Sequence, residues 1–195
     1  MSTNNPVKGI TVYCASSERV APHYVAEAAR LGRAIAETGL PLITGAGRMG
    51  LMGAVNDAAI SAGGETIGVI PRFMVDRGWH HLGLSRLEVT PDMHIRKETM
   101  ARLSRAAIAL PGGFGTLEEL LEIITWRQLG LYDGNIVIMN TNGYYDRLLA
   151  MISHAVDERF IPADHESLFS VASTVEQAVE LALCAPHPPT LSPKF

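Results

Sequence analysis

Short apolar runs alternate with amphipathic stretches along nearly the whole chain, and this alternation sets the class of fold. Gly9 to Cys14, Leu40 to Thr44, Glu65 to Ile70, Ala106 to Leu110 and Asn135 to Met139 read as buried strands. Between them apolar residues recur at helical spacing, as do Tyr24, Ala28, Leu31 and Ile35 within Ala21 to Glu37. Further helices are expected from the glycine-rich loop at 45–50 to about Ser61, from Pro91-Asp92 through Leu103, over 116–129 and over Tyr144 to Arg159. Leu87 to Thr90 and Leu168 to Val171 are short extended pieces, and Arg72 to Arg86 is irregular. Thr174 and Gln177 fit a capping box that opens a last helix. Strands that alternate with helices imply an α/β fold with a doubly wound parallel sheet covered on both faces. With 47% apolar and 18% charged residues over 195 positions, one domain spanning 8–184 can bury such a core. Residues 1–7 and the proline-rich 185–195 are expected to be flexible termini.

Several function classes fall away at this level. A net charge of −4 argues against a general nucleic-acid binder. Cys14 and Cys184 make no disulfide framework, and Cys/His spacing of the metal-binding kind is missing. Neither a secretory leader nor an apolar run of membrane-spanning length is evident. The expectation is a cytoplasmic protein with no metal, no cofactor, no nucleic-acid partner and no membrane partner.

Two glycine-rich turns follow strands, and so both lie on the carboxyl edge of the sheet, where α/β proteins bind ligands. In Leu110-Pro111-Gly112-Gly113-Phe114-Gly115-Thr116-Leu117-Glu118-Glu119 the turn bares backbone N–H groups at the positive end of a helix, which suits a phosphate. Two carboxylates stand directly behind it. Glu119 has two readings here: as the N3 partner of Thr116 in a capping box, or as an acid or base whose pKa is raised by burial beside Trp126. On that helix Leu117, Leu120, Leu121 and Ile124 share one face, and Glu119, Glu122, Ile123 and Trp126 another. The other turn, Gly45-Ala46-Gly47-Arg48-Met49-Gly50, has the spacing of a dinucleotide fingerprint. It follows the second strand, however, and Asp57 falls on a helix. A close-packed turn or a mononucleotide phosphate contact therefore competes with a nicotinamide role.

Lysine occurs three times, at Lys8, Lys97 and Lys194, against thirteen arginines, and only Lys97 is placed to serve an interior site. Arg96 and Lys97 fall near a helix N-terminus, where a cation opposes the helix dipole unless an anion compensates. A solvated basic face is the competing reading. His80-His81 lack ligand spacing and suit a surface loop, while His94 faces either the site or solvent.

Met93-His94-Ile95-Arg96-Lys97 followed by Pro111-Gly112-Gly113-Phe114-Gly115-Thr116 and Glu119 resembles the LOG (Lonely Guy) family. Its members are cytokinin riboside 5′-monophosphate phosphoribohydrolases, often mislabelled lysine decarboxylases. Val12 to Ser17 resembles the family's first strand and turn, and Gly50-Leu51-Met52-Gly53 its second loop. The resemblance covers about residues 8 to 183. It implies a Rossmann-like homodimer with sites near the interface. It also implies hydrolysis of the N-glycosidic bond of an adenosine-type 5′-monophosphate, releasing base and ribose 5-phosphate. By motif position, Arg96 and Glu119 match the catalytic pair. Lys97, Gly113, Phe114, Gly115 and Thr116 match substrate and phosphate contacts, Thr125 matches a binding position, and Gly47 joins them from the other turn.

The sequence departs from many relatives. Ile95 stands where they have Glu, Ala15 where they have Gly, and Gly45-Ala46-Gly47 where they have three glycines. A substrate-contacting Glu is common in the irregular segment, where this chain offers Gly78 with Asp76 the nearest acid. Base preference is exposed to these changes, so a broader nucleotide 5′-monophosphate nucleosidase and a non-catalytic nucleotide or cofactor carrier remain alternatives. A pyridoxal-phosphate decarboxylase is rejected, because only Lys97 is available for a Schiff base and it sits beside Arg96.

Overall fold

The computed structural model describes residues 8–185; of the flexible termini expected at 1–7 and 185–195, all but residue 185 lie outside the described residues. Seven parallel strands run in the order β4-β3-β2-β1-β5-β6-β7, where β1 is Gly9–Tyr13, β2 Leu42–Thr44, β3 Thr66–Pro71, β4 Arg86–Thr90, β5 Ser104–Ala109, β6 Asn135–Met139 and β7 Ser170–Ala172. The chain winds outward from β1 to β4, returns to place β5 against β1, and winds outward again to β7. The reversal point, between β1 and β5, is where an open α/β sheet leaves a crevice.

Alternate residues of the strands feed two cores, one on each face of the sheet. Ile10, Val12, Leu42, Ile108 and Val137 pack with helices α1 (Pro22–Glu37), α2 (Gly50–Ser61) and α7 (Val175–Leu183). Tyr13, Ile43, Val69, Ala107 and Ile138 pack on the other face with α4 (Met93–Leu103) and α5 (Phe114–Gln128). Continuous apolar runs are therefore needed, since neither face of these strands is wet. Helices α1 and α2 approach closely because Gly32 has no side chain: a Cβ there would stand 2.2 Å from the Val55 carbonyl oxygen.

Three expected elements change shape. Within the irregular stretch Arg72–Val75 forms a single helical turn, α3. The helix expected from Tyr144 to Arg159 is shorter, with α6 at Asp146–Asp157 behind a 3-10 turn at Thr141–Gly143. A second 3-10 turn at Ala163–Leu168 takes up Leu168, so β7 begins at Ser170. The last helix opens as expected: Thr174 Oγ1 accepts from the Gln177 N–H at 3.2 Å, and Gln177 Oε1 accepts from the Ser173 N–H at 2.8 Å.

Candidate active site

A cleft of about 530 Å³ opens at the carboxyl edge, over the β1/β5 reversal. Cys14 and the Ala15–Ser17 turn after β1, the 45–49 loop after β2, and Gly113–Thr116 after β5 line it. One residue ties these three turns together: the Ala15 N–H donates to Pro111 O at 3.2 Å, and its carbonyl accepts from the Met52 N–H at 3.2 Å.

The turn after β5 differs from the sequence expectation in a way that matters for Glu119. Helix α5 starts at Phe114, not Thr116, with Gly113 in extended conformation as its N-cap and no side chain capping it. The expected Thr116/Glu119 capping box does not form. Thr116 is three residues into the helix, and its side chain lies over Gly112, where a Cβ would meet Oγ1 at 2.1 Å. The first-turn N–H groups of Phe114, Gly115 and Thr116 therefore face the cleft without intrahelical partners. The carbonyls of the turn are held back by two tyrosines just before α6: Tyr144 Oη donates to Gly112 O at 2.6 Å and Tyr145 Oη to Leu110 O at 2.7 Å. Nothing in the sequence connects those tyrosines to this turn.

Released from capping, Glu119 meets Arg96 across the cleft floor. Arg96 Nη1 donates to Glu119 Oε1 at 2.6 Å, and Arg96 Nε donates to Val69 O at 3.1 Å. Both side chains are buried, at 6% and 8% exposure, which removes the solvated-face reading of Arg96. The guanidinium passes over Gly45, where a Cβ would stand 2.0 Å from Nη2. Gly45 thus lacks a side chain because Arg96 occupies the space. Burial raises the Glu119 pKa above its ordinary value, outweighing the opposing pull of Arg96. Burial and the neighbouring Glu119 charge also push the Cys14 thiol far up, so it stays protonated and is no nucleophile.

Lys97 is in a different situation. It is buried, and Nζ donates to Glu118 Oε1 and, at 2.9 Å, to Glu122 Oε1, clamping α4 to α5. Burial works against its charge, but the two carboxylates outweigh it and its pKa is raised. Lys97 does not line the cleft, and neither does Thr125, which bonds its own helix at Leu121 O and lines a separate groove. Gly113, Phe114, Gly115, Thr116 and Gly47 do line it with Arg96 and Glu119. The faces of α5 also differ from the helical-wheel expectation: Leu120, Ile123 and Glu119 are buried together while Leu121 is exposed.

The 45–50 loop is a close-packed turn. The Gly47 N–H contacts Met52 Sδ at 2.9 Å, Gly47 O accepts from Asn56 Nδ2 at 3.2 Å, and the Ala46 N–H donates to Thr44 Oγ1 at 3.2 Å. Ala46 itself is buried with φ at 63°, a left-handed conformation that favours glycine. Asp57 lies on α2, as expected, and pairs with His81 at 2.9 Å. His94 is exposed. Gly78, also left-handed at φ 68°, ends the α3 turn, and Trp79 and Met74 beside it form an apolar wall of the cleft with Met49, Met93 and Phe114. Asp76 does not line the cleft, so Glu118 and Glu119 are its carboxylates. Among the described residues no three His, Cys, Asp or Glu side chains are grouped to hold a metal ion.

Comparison with known proteins agrees with this geometry. The sequence model of a family described as "Possible lysine decarboxylase" matches residues 52–182. A cytokinin riboside 5′-monophosphate phosphoribohydrolase of Rhodococcoides fascians is 43% identical over 174 residues, covering 88% of this chain and 87% of that protein. One from Arabidopsis thaliana is 44% identical over 159 residues, covering 82% of this chain and 73% of that protein. Among solved structures, the molybdenum cofactor binding protein of Rippkaea orientalis superposes with a TM-score of 0.67 at 24% identity, covering 89% of this chain and 94% of that one. The Moco carrier protein of Chlamydomonas reinhardtii gives 0.68 at 23% identity, covering 90% and 94%. These two establish the Rossmann-like fold alone. With its paired Arg96 and Glu119 beside an uncapped helix turn, and with relatives of this identity over most of its length, the chain belongs to the LOG family of phosphoribohydrolases.

Proposed function

We propose that this protein hydrolyses the N-glycosidic bond of adenosine-type nucleoside 5′-monophosphates, releasing the free base and ribose 5-phosphate. The observation that carries the proposal is the buried Arg96–Glu119 pair at 2.6 Å, set in one cleft with the bare first turn of α5. The relatives' names point to the same reaction.

Each part has a task the chemistry requires. The N–H groups of Phe114, Gly115 and Thr116 hold the 5′-phosphate at the positive end of the helix dipole. Glycosidic cleavage passes through an oxocarbenium-like state, which the Glu119 carboxylate stabilises while orienting the attacking water. Arg96 fixes that carboxylate and opposes part of the rise in its pKa that burial imposes. The wall of Trp79, Met74, Met49 and Met93 receives the base by apolar contact. Lysine decarboxylation through a Schiff base has no support, since Lys97 is held charged between two carboxylates away from the cleft. A carrier function is disfavoured by the same buried pair, which binding alone does not require.

Assembly as a homodimer belongs to this proposal. Helix α6 buries none of its residues and exposes Met151 at 61%, and Leu121 and Phe160, exposed at 45% and 84%, line a groove with Thr125 and Ile152. Thr125 would then act from that face, near the interface. Among the described residues no helix is long and apolar enough to cross a membrane, and a cytoplasmic location is part of the same reading.

The test is to incubate the protein with AMP, isopentenyladenosine 5′-monophosphate, pyrimidine monophosphates and the free nucleosides, and to measure released base and ribose 5-phosphate. Turnover confined to monophosphates is expected. Binding without cleavage would favour the carrier, and equal rates on pyrimidine nucleotides would replace the cytokinin assignment with a broad nucleosidase.

A further inference from the structure

Four charged side chains line the cleft: Arg48, Arg96, Glu118 and Glu119. Three are already committed. Arg96 is spent on Glu119 and on the Val69 carbonyl, and Glu118 is paired with Lys97. Arg48 is the exception, with no hydrogen bond or ion pair to any other described residue. Its backbone, by contrast, is held: the loop that carries it is pinned by Met52 and Asn56 at Gly47 and by the His81 N–H, which donates to Ala46 O at 2.8 Å. A fixed base with a free, exposed guanidinium at a cleft mouth suits a ligand contact that forms only when the ligand arrives.

The chemistry of the rest of the cleft says which part of the ligand Arg48 meets. Ala15 joins the Pro111–Thr116 turn to Met52 in the first turn of α2, directly after the Arg48 loop, and the loop is bridged on its other side to His80 and His81. The apolar wall for the base, made of Met74, Trp79, Met93, Met49 and Phe114, carries no charge, so the guanidinium matches the phosphate and not the base. The backbone amides of α5 offer a phosphate only the partial charge of a helix end. A dianion also calls for a full counter-charge, and neither Arg96 nor Lys97 is free to give one.

We infer that Arg48 is the phosphate-recognising cation of the cleft, the residue that makes a nucleoside 5′-monophosphate a better substrate than the nucleoside. This rests on the reading of the cleft as a monophosphate site. Arginine suits the task because its planar fork binds two phosphate oxygens at once.

The test compares wild type, Arg48→Gln, Arg48→Lys and Arg33→Gln, the last removing an exposed charge on α1 far from the cleft. Calorimetry with ribose 5-phosphate and with adenosine reads binding, and steady-state assays with AMP read KM and kcat. Arg48→Gln is expected to weaken ribose 5-phosphate and raise the KM for AMP by about tenfold, the effect of one charge-assisted contact of ~1.4 kcal/mol. Adenosine affinity and kcat should change less than about twofold, Arg48→Lys should recover part of the loss, and Arg33→Gln should match wild type. Wild-type affinity of Arg48→Gln for ribose 5-phosphate overturns the inference, as does failure of the wild-type protein to bind it. If wild type binds ribose 5-phosphate and Arg48→Gln does not, but neither cleaves any monophosphate, the inference stands and the hydrolase proposal falls.

Discussion

The two glycine-rich turns at the carboxyl edge read alike in sequence and are built for opposite ends. The 45–50 turn spends its backbone polar groups internally, on Thr44, Met52, Asn56 and His81. Its glycine at position 45 makes room for a neighbour, Arg96. The 110–116 turn spends carbonyls, at Leu110 on Tyr145, at Pro111 on Ala15 and at Gly112 on Tyr144, and keeps the N–H groups of its first helical turn at the cleft. A glycine in a turn therefore says little until it is known what approaches it. In one turn the approaching group is the Arg96 guanidinium, and in the other, on the proposed function, it is the substrate phosphate.

Breaking each turn at its own point should give effects of different size and kind. Arg96→Ala and Gly45→Val both attack the cleft floor, the first by removal and the second by collision with Nη2. Each is expected to lower kcat/KM on the monophosphate by about 100-fold or more, with circular dichroism confirming a folded chain. Activity of Gly45→Val close to wild type would mean that Arg96 need not lie where it does.

A second, smaller effect concerns pH. Because burial raises the Glu119 pKa, the carboxylate is lost as pH falls at a point above the ordinary value of 4.5, and the acidic limb of kcat/KM should lie there. The same sign makes Glu119 a stability cost at neutral pH, relieved as pH falls through its raised pKa. The charges acting on Glu119 are Arg96 and Lys97 from α4 and Glu118 from its own helix, with Tyr13 at the end of β1 and Cys14 directly after it neutral nearby. Lys97→Met frees the negative charges of Glu118 and Glu122, so it should move the acidic limb to higher pH, and Lys97→Arg should restore it. A limb that stays in place would assign Lys97 to helix docking only.

The remaining effects are on stability. Tyr144→Phe removes the hydroxyl that restrains Gly112 and should cost about 1 kcal/mol in denaturant unfolding, together with a rise in KM for the monophosphate. Ala46→Gly relieves a left-handed alanine in the closed turn and should raise stability by up to about 1 kcal/mol with KM unchanged. An Ala46→Gly variant that altered KM would show that the 45–50 turn also meets substrate through its backbone.

Much of this was readable from the chain. Uniformly apolar runs between amphipathic stretches can be satisfied only by a sheet covered on both faces, so the parallel fold and the edge carrying the site followed. Arg96, Glu119 and the 113–116 turn stand out as candidates because a cation at a helix start and an acid behind a glycine turn are each unfavourable alone, while their roles come from the family resemblance. The start of α5 differs from expectation, since Thr116 and Glu119 have capping spacing while Gly113 supplies the extended N-cap three positions earlier than a polar cap predicts. The partners of Lys97, the tyrosine restraints on Gly112 and Leu110, and the space at Gly45 were illegible. Each depends on a contact between residues more than twenty positions apart, which periodicity and local spacing do not encode.

The account depends most on the chemistry of the Glu119 carboxylate, and Glu119→Gln tests it with the least disturbance of shape. The measurement is release of free base from AMP and isopentenyladenosine 5′-monophosphate by the purified variant, alongside its affinity for ribose 5-phosphate. The predicted result is a loss of turnover of about 1,000-fold with ribose 5-phosphate affinity within a few-fold of wild type. Turnover near the wild-type rate would contradict the account and leave the Arg96–Glu119 pair a structural one.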